Sequence, residues 1–296
     1  MRSYRHERDV AAVADLLGSL PAGSRHRLDA GWRLAAPGFA DPAENKLFTG
    51  KDGTLLGMAA WQQSWAVLDL RLRPGGTEAA VADAALGWAG ERFAQLDTAR
   101  GYQLPYWIEV GEGDGLRRDL AARYGFDMVG DARYVMLRRD LDAESGGCRQ
   151  VPGGITIRPL ADPAEVPAYV AAHRAAFGSQ DMTVAWRSAT LKMPGHEPEL
   201  DLVAVAGDGT VAGFCVTWLD RRRRAAQAEP AGVVPRFRRL GVARALLDEA
   251  ARRAARQDAT ALYVEPDDAN AAALAAYAGF RPVGWTERRG RTGSGE

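Results

Sequence analysis

Apolar residues late in the chain recur at every fourth position and predict an amphipathic helix. The recurring positions are Val242, Leu246, Ala250 and Ala254. Charged residues, Asp248 and Glu249 among them, fall elsewhere on the helical wheel. One face of this helix is therefore expected to pack against a core, while the charged face meets water.

Shorter patterns predict the elements around that helix. In chain order they are a strand at 155–160, a helix at 164–177, an irregular or partly helical stretch at 178–198, and strands at 200–206, 211–218 and 261–264. Residues 227–234 form a further strand that contains Pro230 and Gly232. A regular central strand avoids these two residue types and a bulged strand tolerates them, so we expect a bulge there.

The segment between the bulged strand and the long helix has the composition of a phosphate-binding turn. Arg238, Gly241 and Ala243 stand at the spacing Arg-x-x-Gly-x-Ala. Backbone N–H groups of such a turn, together with the unpaired N–H groups at the start of the next helix, can hold a pyrophosphate. Gly241 and Ala243 lack bulk, so ligand oxygens can approach the backbone, and Gly241 can adopt a positive φ.

A second group of residues follows the strand at 261–264, namely Asn270, Ala273, Tyr277 and Gly279-Phe280. Together the two groups resemble the signatures of the GNAT superfamily, the acyl-CoA-dependent N-acyltransferases: Gln/Arg-x-x-Gly-x-Gly/Ala and Asn-x-x-Ala-x-x-x-Tyr-x-x-Gly-Phe. Here one residue fewer separates Tyr277 from Gly279. The resemblance covers about residues 155 to 285. It implies an α/β (α+β) fold with a mixed, mostly antiparallel sheet flanked by helices.

The resemblance also implies which residues bind acetyl-CoA as the acyl donor. These are Val233, Val234, Arg238, Arg239, Leu240, Gly241, Val242, Ala243, Arg244, Asn270 and Tyr277. Val233 and Val234 would contact the pantetheine arm, and a nearby backbone N–H would polarise the thioester carbonyl. Asn270 would bond the pantetheine arm, and an Asn at a helix start is also well suited to cap that helix. Because seven residues separate Asn270 from Tyr277, the two side chains are expected on nearly the same helix face.

Two residues are candidates for proton transfer. Tyr277 would hydrogen-bond or protonate the leaving thiolate, the alternative being a tyrosine packed at the edge of the core. Glu229 would serve as a base through water if burial raises its pKa, the alternative being an exposed carboxylate paired with a nearby arginine. No nucleophile with a paired base is visible, so direct attack of a primary amine on the thioester is favoured.

Two landmarks of the second half occur earlier in the chain at nearly constant offset. Asp52-Gly53 echoes Asp208-Gly209, and Gly125-Phe126 echoes Gly279-Phe280. The first half has no Arg-x-x-Gly-x-Ala, and Glu78 stands at the predicted start of its helix, residues 79–93, where it would repel a pyrophosphate. We therefore predict two GNAT-like domains: a degenerate copy at 1–141, a Gly/Ser/Pro-rich linker at 142–154, and an acetyl-CoA-binding domain at 155–296.

Composition narrows the class of protein without naming the acceptor. The 296 residues carry 38 basic and 38 acidic side chains, a formal net charge of zero, so no global charge favours nucleic acid or an anionic membrane. The run 221–224 of four arginines is interpreted as a solvated turn between two strands. The first ten residues are charged, and no apolar run of eighteen residues occurs, so a cytoplasmic, soluble protein is expected.

The few metal-ligating and redox-active residues predict no metal site. Cys148 and Cys215 are too few and too far apart for a disulfide framework, so two free thiols are expected. The four histidines, His6, His26, His173 and His196, share no ligand spacing and are interpreted as surface or structural. Trp186, Met193 and Trp218 are assigned to core packing, with the wall of an acceptor pocket as the alternative.

The sequence therefore predicts an N-acetyltransferase that transfers acetyl from acetyl-CoA to a primary amine in a ternary complex. The acceptor is a small-molecule or peptide amine. Amino sugar, antibiotic, polyamine, amino acid and protein terminus all fit, and a monomer or a homodimer is equally compatible. The alternative is a non-catalytic acyl-CoA-binding regulatory or scaffold protein.

Overall fold

A computed structural model describes residues 1–21, 24–102, 106–142 and 154–291 of the chain. Its strands are β1 (Asn45–Thr49), β2 (Leu55–Gln62), β3 (Val67–Leu72), β4 (Tyr106–Gly111), β5 (Asp127–Asp140), β6 (Thr156–Pro159), β7 (His196–Val205), β8 (Val211–Asp220), β9 (Ala225–Val233), β10 (Ala261–Val264) and β11 (Arg281–Arg291). Nearly all of the predicted linker at 142–154, with Cys148, lies outside the described residues.

The helices precede or connect these strands. They are α1 (His6–Ser19), α2 (Ala30–Leu34), α3 (Pro37–Ala40), α4 (Glu78–Arg100), α5 (Gly115–Arg123), α6 (Val166–Phe177), α7 (Val184–Thr190), α8 (Val242–Arg256) and α9 (Ala271–Ala276). Within the described residues, none of these helices combines the length and the apolarity that a membrane-spanning segment requires.

The chain forms two compact units, each built from segments that are distant in sequence. The first unit contains residues 1–27, 36–134 and 284–296, and the second contains residues 28–35 and 135–283. The predicted boundaries, 1–141 and 155–296, follow the chain order instead. They remain a prediction.

The first unit has a mixed sheet with a core on one face. β1, β2 and β3 pair antiparallel, β3 and β4 pair parallel, and β11 pairs antiparallel with β4. Apolar side chains of β2, β3 and β4 pack against α4, which begins at Glu78, one residue before the predicted helix start. The position Gly57 on β2 has to be a glycine, because a Cβ there would lie 2.7 Å from Cγ1 of Val81 and 2.9 Å from the carbonyl oxygen of Arg71.

The second unit has a sheet with the order β5-β10-β9-β8-β7-β6. β6 pairs antiparallel with β7, β7 with β8, and β8 with β9. β9 and β10 pair parallel, and the end of β5 pairs antiparallel with β10. Helix α8 packs on one face of this sheet, and its buried residues Leu246, Ala250 and Ala254 join the apolar cluster of the unit. Helix α6 packs against β8 and β9 as well.

Most of the predicted elements are confirmed in this unit. The predicted fold class, a mixed and mostly antiparallel sheet flanked by helices, is confirmed, and β10 has the predicted bounds. The stretch at 178–198 is partly helical, and residues 221–224 form a turn. The strand predicted at 200–206 begins four residues earlier, at His196. Trp186, Met193 and Trp218 are buried, which agrees with core packing.

Candidate functional site

Strands β9 and β10 run side by side only over their first residues. Their parallel pairing joins Ala225 to Ala261, and Gln227 to Tyr263 is the last of its three pairs. β9 continues for six residues to Val233, whereas β10 ends at Val264. On its other edge β9 has a register shift against β8, with Cys215 opposite Ala231 and Thr217 opposite Ala228. The extra residue lies in the segment 229–230, so the bulge is where the sequence predicts it.

Beyond Gln227, the edge of β9 that faces away from β8 is no longer paired with β10. The N–H of Val234 donates to the carbonyl oxygen of Ala212, 2.9 Å away, and is therefore used within the sheet. Successive N–H groups of a strand point to opposite edges, so the N–H of Val233 points to the edge that β10 leaves. Of the two valines, only Val233 is thus placed to donate to a ligand lying along that edge.

The turn between β9 and α8 has the backbone of an anion-binding cradle. A 3-10 turn at Pro235–Phe237 is followed by two residues with left-handed backbone, Arg239 with φ of 66° and Gly241 with φ of 80°. Gly241 precedes α8, whose first N–H groups have no side-chain cap. A Cβ at Gly241 would meet nothing within 4 Å, and residues 238–241 are exposed. Open space in front of free N–H groups at the positive end of a helix suits a phosphate.

Arg238 braces this turn with its side chain. Its Nη2 donates to the carbonyl oxygen of Ala176 at 2.9 Å, and its Nε donates to that of Val233 at 3.2 Å. The guanidinium therefore fixes the turn to the end of α6 and to β9. Both contacts are to protein carbonyls, so the side chain of Arg238 stabilises the turn.

The start of α8 carries a buried ionic cluster. Asp248 accepts from Nη1 of Arg139 at 2.7 Å and lies 3.5 Å from Nε of Arg244. The prediction that Asp248 lies on the wet face of the helix is wrong, because two arginines cover the carboxylate and leave it only 6% exposed. Arg244 thus forms an ion pair with Asp248. It also lies beside Gly279, where an added Cβ would be 4.0 Å from Nη2 of Arg244.

Close packing sets the height of α8 above the sheet. A Cβ at Gly213 of β8 would lie 2.9 Å from the carbonyl oxygen of Gly232 and 3.2 Å from side-chain carbons of Val242 and Leu246. Only glycine therefore allows the first turn of α8 to lie this close to β8 and β9. The cradle is positioned by this contact.

Asn270 and Tyr277 lie at the two ends of α9. The side chain of Asn270 accepts from the backbone N–H of Ala273 at 3.0 Å, so Asn270 caps the helix, as its alternative interpretation predicts. Tyr277 is the residue that ends α9, and its ring packs edge-on against Phe280 with centroids 5.6 Å apart. Burial raises the pKa of Tyr277 well above its usual value, and the negative charges of Glu229 and Cys215 raise it further.

Glu229 lies among three weakly acidic side chains. Its charge contributes to the raised pKa values of Tyr169, Cys215 and Tyr277, in each case after burial. Burial raises the pKa of the Cys215 thiol to about 12. Glu229 itself is half-buried on the bulged segment of β9, and its carbonyl oxygen accepts from Nε1 of Trp218 at 2.7 Å.

The corresponding turn of the first unit is occupied by its own carboxylate. Oε1 of Glu78 accepts from the N–H of Gly75 at 2.9 Å, and Oε2 accepts from the N–H of Gly76 at 2.6 Å. Backbone N–H groups, that of Glu78 itself first, lower the pKa of this carboxyl. A negatively charged group of the chain thus fills the place where an anion would bind.

Charged side chains also occupy the diverging part of β3 and β4. The parallel pairing of these strands comprises Val67 with Trp107 and Leu68 with Ile108. Asp69 and Arg71 on β3 and Glu109 on β4 alternate with the apolar residues of the core and so lie on the opposite face of the sheet. All three are buried, and Arg71 donates to Asp69 at 2.6 Å. Arg117 of α5 reaches the carbonyl oxygen of Glu109 at 3.4 Å. An acyl chain along β4 would have to displace these groups.

One feature of the second unit escaped the sequence analysis. Tyr169, His173 and Phe177 form a stripe along α6 at a four-residue spacing, and this spacing is the signal that was available. Among the described residues, no three His, Cys, Asp or Glu side chains converge as a metal site.

Comparison with known proteins connects these features to a family. Residues 168–280 match the model of the acetyltransferase (GNAT) family. The mycothiol acetyltransferase of Kineococcus radiotolerans is 32% identical over 169 residues, which are 54% of this chain and 54% of that protein. The chain thus matches about half the length of this curated relative.

Solved structures show the same fold over nearly the whole chain. A GCN5-related N-acetyltransferase from Sphaerobacter thermophilus superposes with a TM-score of 0.65 at 20% identity. The match covers 99% of this chain and 96% of that protein. A tandem GNAT protein from the clavulanic acid biosynthesis pathway has a TM-score of 0.62 at 13% identity, with 99% and 98% covered. At these identities the likeness concerns the fold alone. The family match at residues 168–280 and the fold agree with each other: this part of the chain is similar to the acetyltransferase (GNAT) family.

Proposed function

We propose that the protein transfers an acetyl group from acetyl-CoA to a primary amine, by direct attack of the amine on the thioester. The observation that carries this proposal is the cradle at 238–244 at the end of a strand that diverges from its parallel neighbour. Such an arrangement offers N–H groups to a pyrophosphate and, next to it, a free strand edge to an amide-containing arm. The acetyltransferase name of the curated relative supports the choice of acyl group.

The residues present fit acetyl-CoA as a substrate. Backbone groups at Leu240 to Arg244 would hold the pyrophosphate, Arg238 would keep their turn in place, and Arg239 would add positive charge. Val233 would offer its N–H to the thioester carbonyl, which withdraws electrons from the carbonyl carbon as the amine attacks. Asn270 would bond the pantetheine arm and cap α9 at the same time.

Two side chains would handle the protons. Tyr277 keeps its proton at neutral pH because burial raises its pKa, so it is an available acid for the thiolate that leaves. Glu229 is a half-buried carboxylate at the bulge, and its charge contributes to the raised pKa of Tyr277. Through water it would accept the proton that the acceptor ammonium loses before the neutral amine attacks. A base for the amine that attacks the thioester carbon and an acid for the thiolate that leaves it are thus both available.

Cys215 is not suited to carry the acetyl group. Its thiol is fully buried, and burial raises its pKa to about 12, so the thiolate is scarce at neutral pH. Its neighbour within reach is the hydroxyl of Thr217, with Sγ and Oγ1 3.7 Å apart. The burial of Cys215 supports the proposed ternary complex, in which the acetyl group does not pass through this thiol.

The first unit would bind no acetyl-CoA under this proposal. The carboxylate of Glu78 holds the N–H groups of Gly75 and Gly76, and buried charges lie where β3 and β4 diverge. We therefore propose that the first half is a degenerate copy that contributes structure. One CoA site per chain is the consequence.

The test is release of free thiol from acetyl-CoA across a panel of primary amines. Intersecting initial-rate lines with a good acceptor would support the ternary complex, whereas parallel lines would refute direct attack. If no amine releases thiol while calorimetry shows CoA binding at one site per chain, the protein is an acyl-CoA-binding regulator or scaffold instead.

A further inference from the structure

The second unit contains an aromatic surface that the acetyl-transfer chemistry does not use. Tyr169, His173 and Phe177 lie on one side of α6 because they are four residues apart. The His173 ring stacks on Phe214 of β8 at 5.3 Å between centroids, and on Trp32 of α2 at 5.8 Å. We name these five residues the aromatic wall.

The aromatic wall is graded from a buried end to an exposed end. Tyr169 and Phe214 are fully buried, whereas Phe177 is 53% exposed and lies 4.7 Å from the His173 ring. Exposure of an apolar ring to water is unfavourable, so Phe177 is suited to cover a ligand, which would remove its ring from water. His173 lies between the two ends and is half-buried.

Two polar atoms of the wall lack partners within the described part of the chain. They are the hydroxyl of Tyr169 and Nδ1 of His173, both buried. A buried polar atom without a hydrogen bond is costly, and a ligand that supplies the bond removes that cost. Burial, and to a smaller extent the charge of Arg187, lower the pKa of His173 to about 4, so the imidazole is neutral. A neutral ring accepts a hydrogen bond and does not repel a cation.

The wall ends beside the proposed reaction centre. Arg238 of the cradle holds the carbonyl of Ala176, the residue before Phe177. A Cβ at Gly232 of β9 would lie 3.1 Å from Cβ of Ala176 and 2.6 Å from Cζ of Phe214. The exposed end of α6 therefore contacts the bulged strand that carries Glu229. An amine that reaches Glu229 would lie along the wall.

We propose that the aromatic wall selects the acceptor, and that this acceptor is a primary amine joined by a short linker to an aromatic ring. The inference rests on the proposed acetyl transfer. The ring of the acceptor would pack on the exposed Phe177, next to His173, and the ammonium N–H groups of the acceptor would donate to Nδ1 of His173. Aromatic surfaces attract flat rings through offset or edge contacts. An amino sugar would place several hydroxyl groups against rings that offer two hydrogen-bonding atoms.

The experiment compares 2-phenylethylamine with propylamine, two amines that differ by the ring. Steady-state rates of thiol release should give the phenyl compound at least a tenfold higher kcat/KM in the unaltered protein. Phe177→Ala should raise KM for 2-phenylethylamine by about three- to tenfold, the range of a lost aromatic contact, and raise KM for propylamine by less, so that the preference for the phenyl compound falls. The control is Met128→Ala, which removes an apolar side chain of similar exposure in the first unit.

Two further variants separate the ring of His173 from its nitrogen. His173→Phe keeps a ring, so the preference for the phenyl compound should persist while KM rises for both amines. His173→Gln removes the ring and should reduce the preference itself. If the two variants behave alike, the stacking role of His173 is refuted.

The outcomes distinguish this inference from the proposed function. Equal kcat/KM for the two amines, with Phe177→Ala silent, would overturn the aromatic acceptor and leave acetyl transfer intact. If no amine is acetylated, the proposed function fails. Quenching of tryptophan fluorescence by 2-phenylethylamine would then still support the wall as a binding surface if Phe177→Ala weakens it, and absence of any saturable quenching would refute it.

Discussion

Replacing Gly241 by glutamate is expected to abolish CoA binding without unfolding the protein. Gly241 has a φ of 80°, and a Cβ there would meet nothing within 4 Å, so the new side chain extends into open space in front of α8. The left-handed backbone costs a non-glycine residue about 1–2 kcal/mol. A carboxylate at the start of a helix returns about 0.3–1 kcal/mol. The second unit should therefore lose about 1 kcal/mol of stability.

The loss in affinity should be much larger than the loss in stability. A carboxylate about 5 Å from a phosphate charge repels it by about 1–3 kcal/mol, depending on the local dielectric. A pyrophosphate carries two such charges, so about 2 kcal/mol is a lower estimate. This corresponds to an increase of at least about 30-fold in the dissociation constant of CoA. Titration calorimetry measures it, with the melting temperature as the test of folding.

Two variants provide matched controls. Gly241→Gln has the same size and backbone strain without the charge, so it should bind CoA better than Gly241→Glu, with a difference that shrinks at high salt. Gly209→Glu makes the same change at a glycine with φ of 82° and open surroundings in the turn between β7 and β8. If Gly241→Glu binds CoA as tightly as Gly209→Glu does, the cradle lies elsewhere in the molecule.

Three other changes test separate parts of the structure. Tyr277→Phe should lower kcat by about ten- to a thousandfold with little effect on KM for acetyl-CoA, and equal kcat values would assign Tyr277 to packing. In the unaltered protein, ionisation of Tyr277 should lower the rate only above pH 10, because the pKa of Tyr277 is raised. Cys215→Ala should keep kcat within about threefold, and complete loss in a folded variant would indicate an acetyl-cysteine intermediate. Asp9→Asn should destabilise the first unit by about 1–3 kcal/mol at pH 7, as judged by urea unfolding. Burial alone would raise the pKa of Asp9, but bonds from Arg2, Arg8 and the N–H of Arg5 hold it well below its usual range. The difference from the unaltered protein should therefore be complete above about pH 4 and vanish as pH falls further, and a difference independent of pH would refute the ionic origin.

Local signals in the sequence were sufficient for the elements around the cradle. The four-residue spacing of apolar side chains defines α8, and Gly241 has the positive φ that its position in the motif requires. Pro230 and Gly232 marked the bulge, because a regular strand excludes them from its centre. Each of these signals acts within a few residues of the structure it predicts.

Features that depend on distant residues could not be predicted in this way. Asp248 is buried because Arg139, more than a hundred residues earlier, covers it. Trp32 belongs to the aromatic wall although 141 positions separate it from His173. Spacing along one helix carries no information about such partners, so the wall and the ionic cluster required the fold.

Each compact unit contains a strand pair whose two members are far apart in sequence, and this affects folding during synthesis of the chain. The first unit pairs β4 with β11, which is among the last described residues, and the second takes the end of β5 from the first half. A ribosome therefore releases β11, the partner of β4, only after residues 112–280 have been made. Until then β4 has an open edge, which is a template for pairing with other chains. Expression of residues 1–141 alone would leave that edge permanently open, so aggregation of such a fragment, and its rescue by a peptide of residues 281–296, are expected.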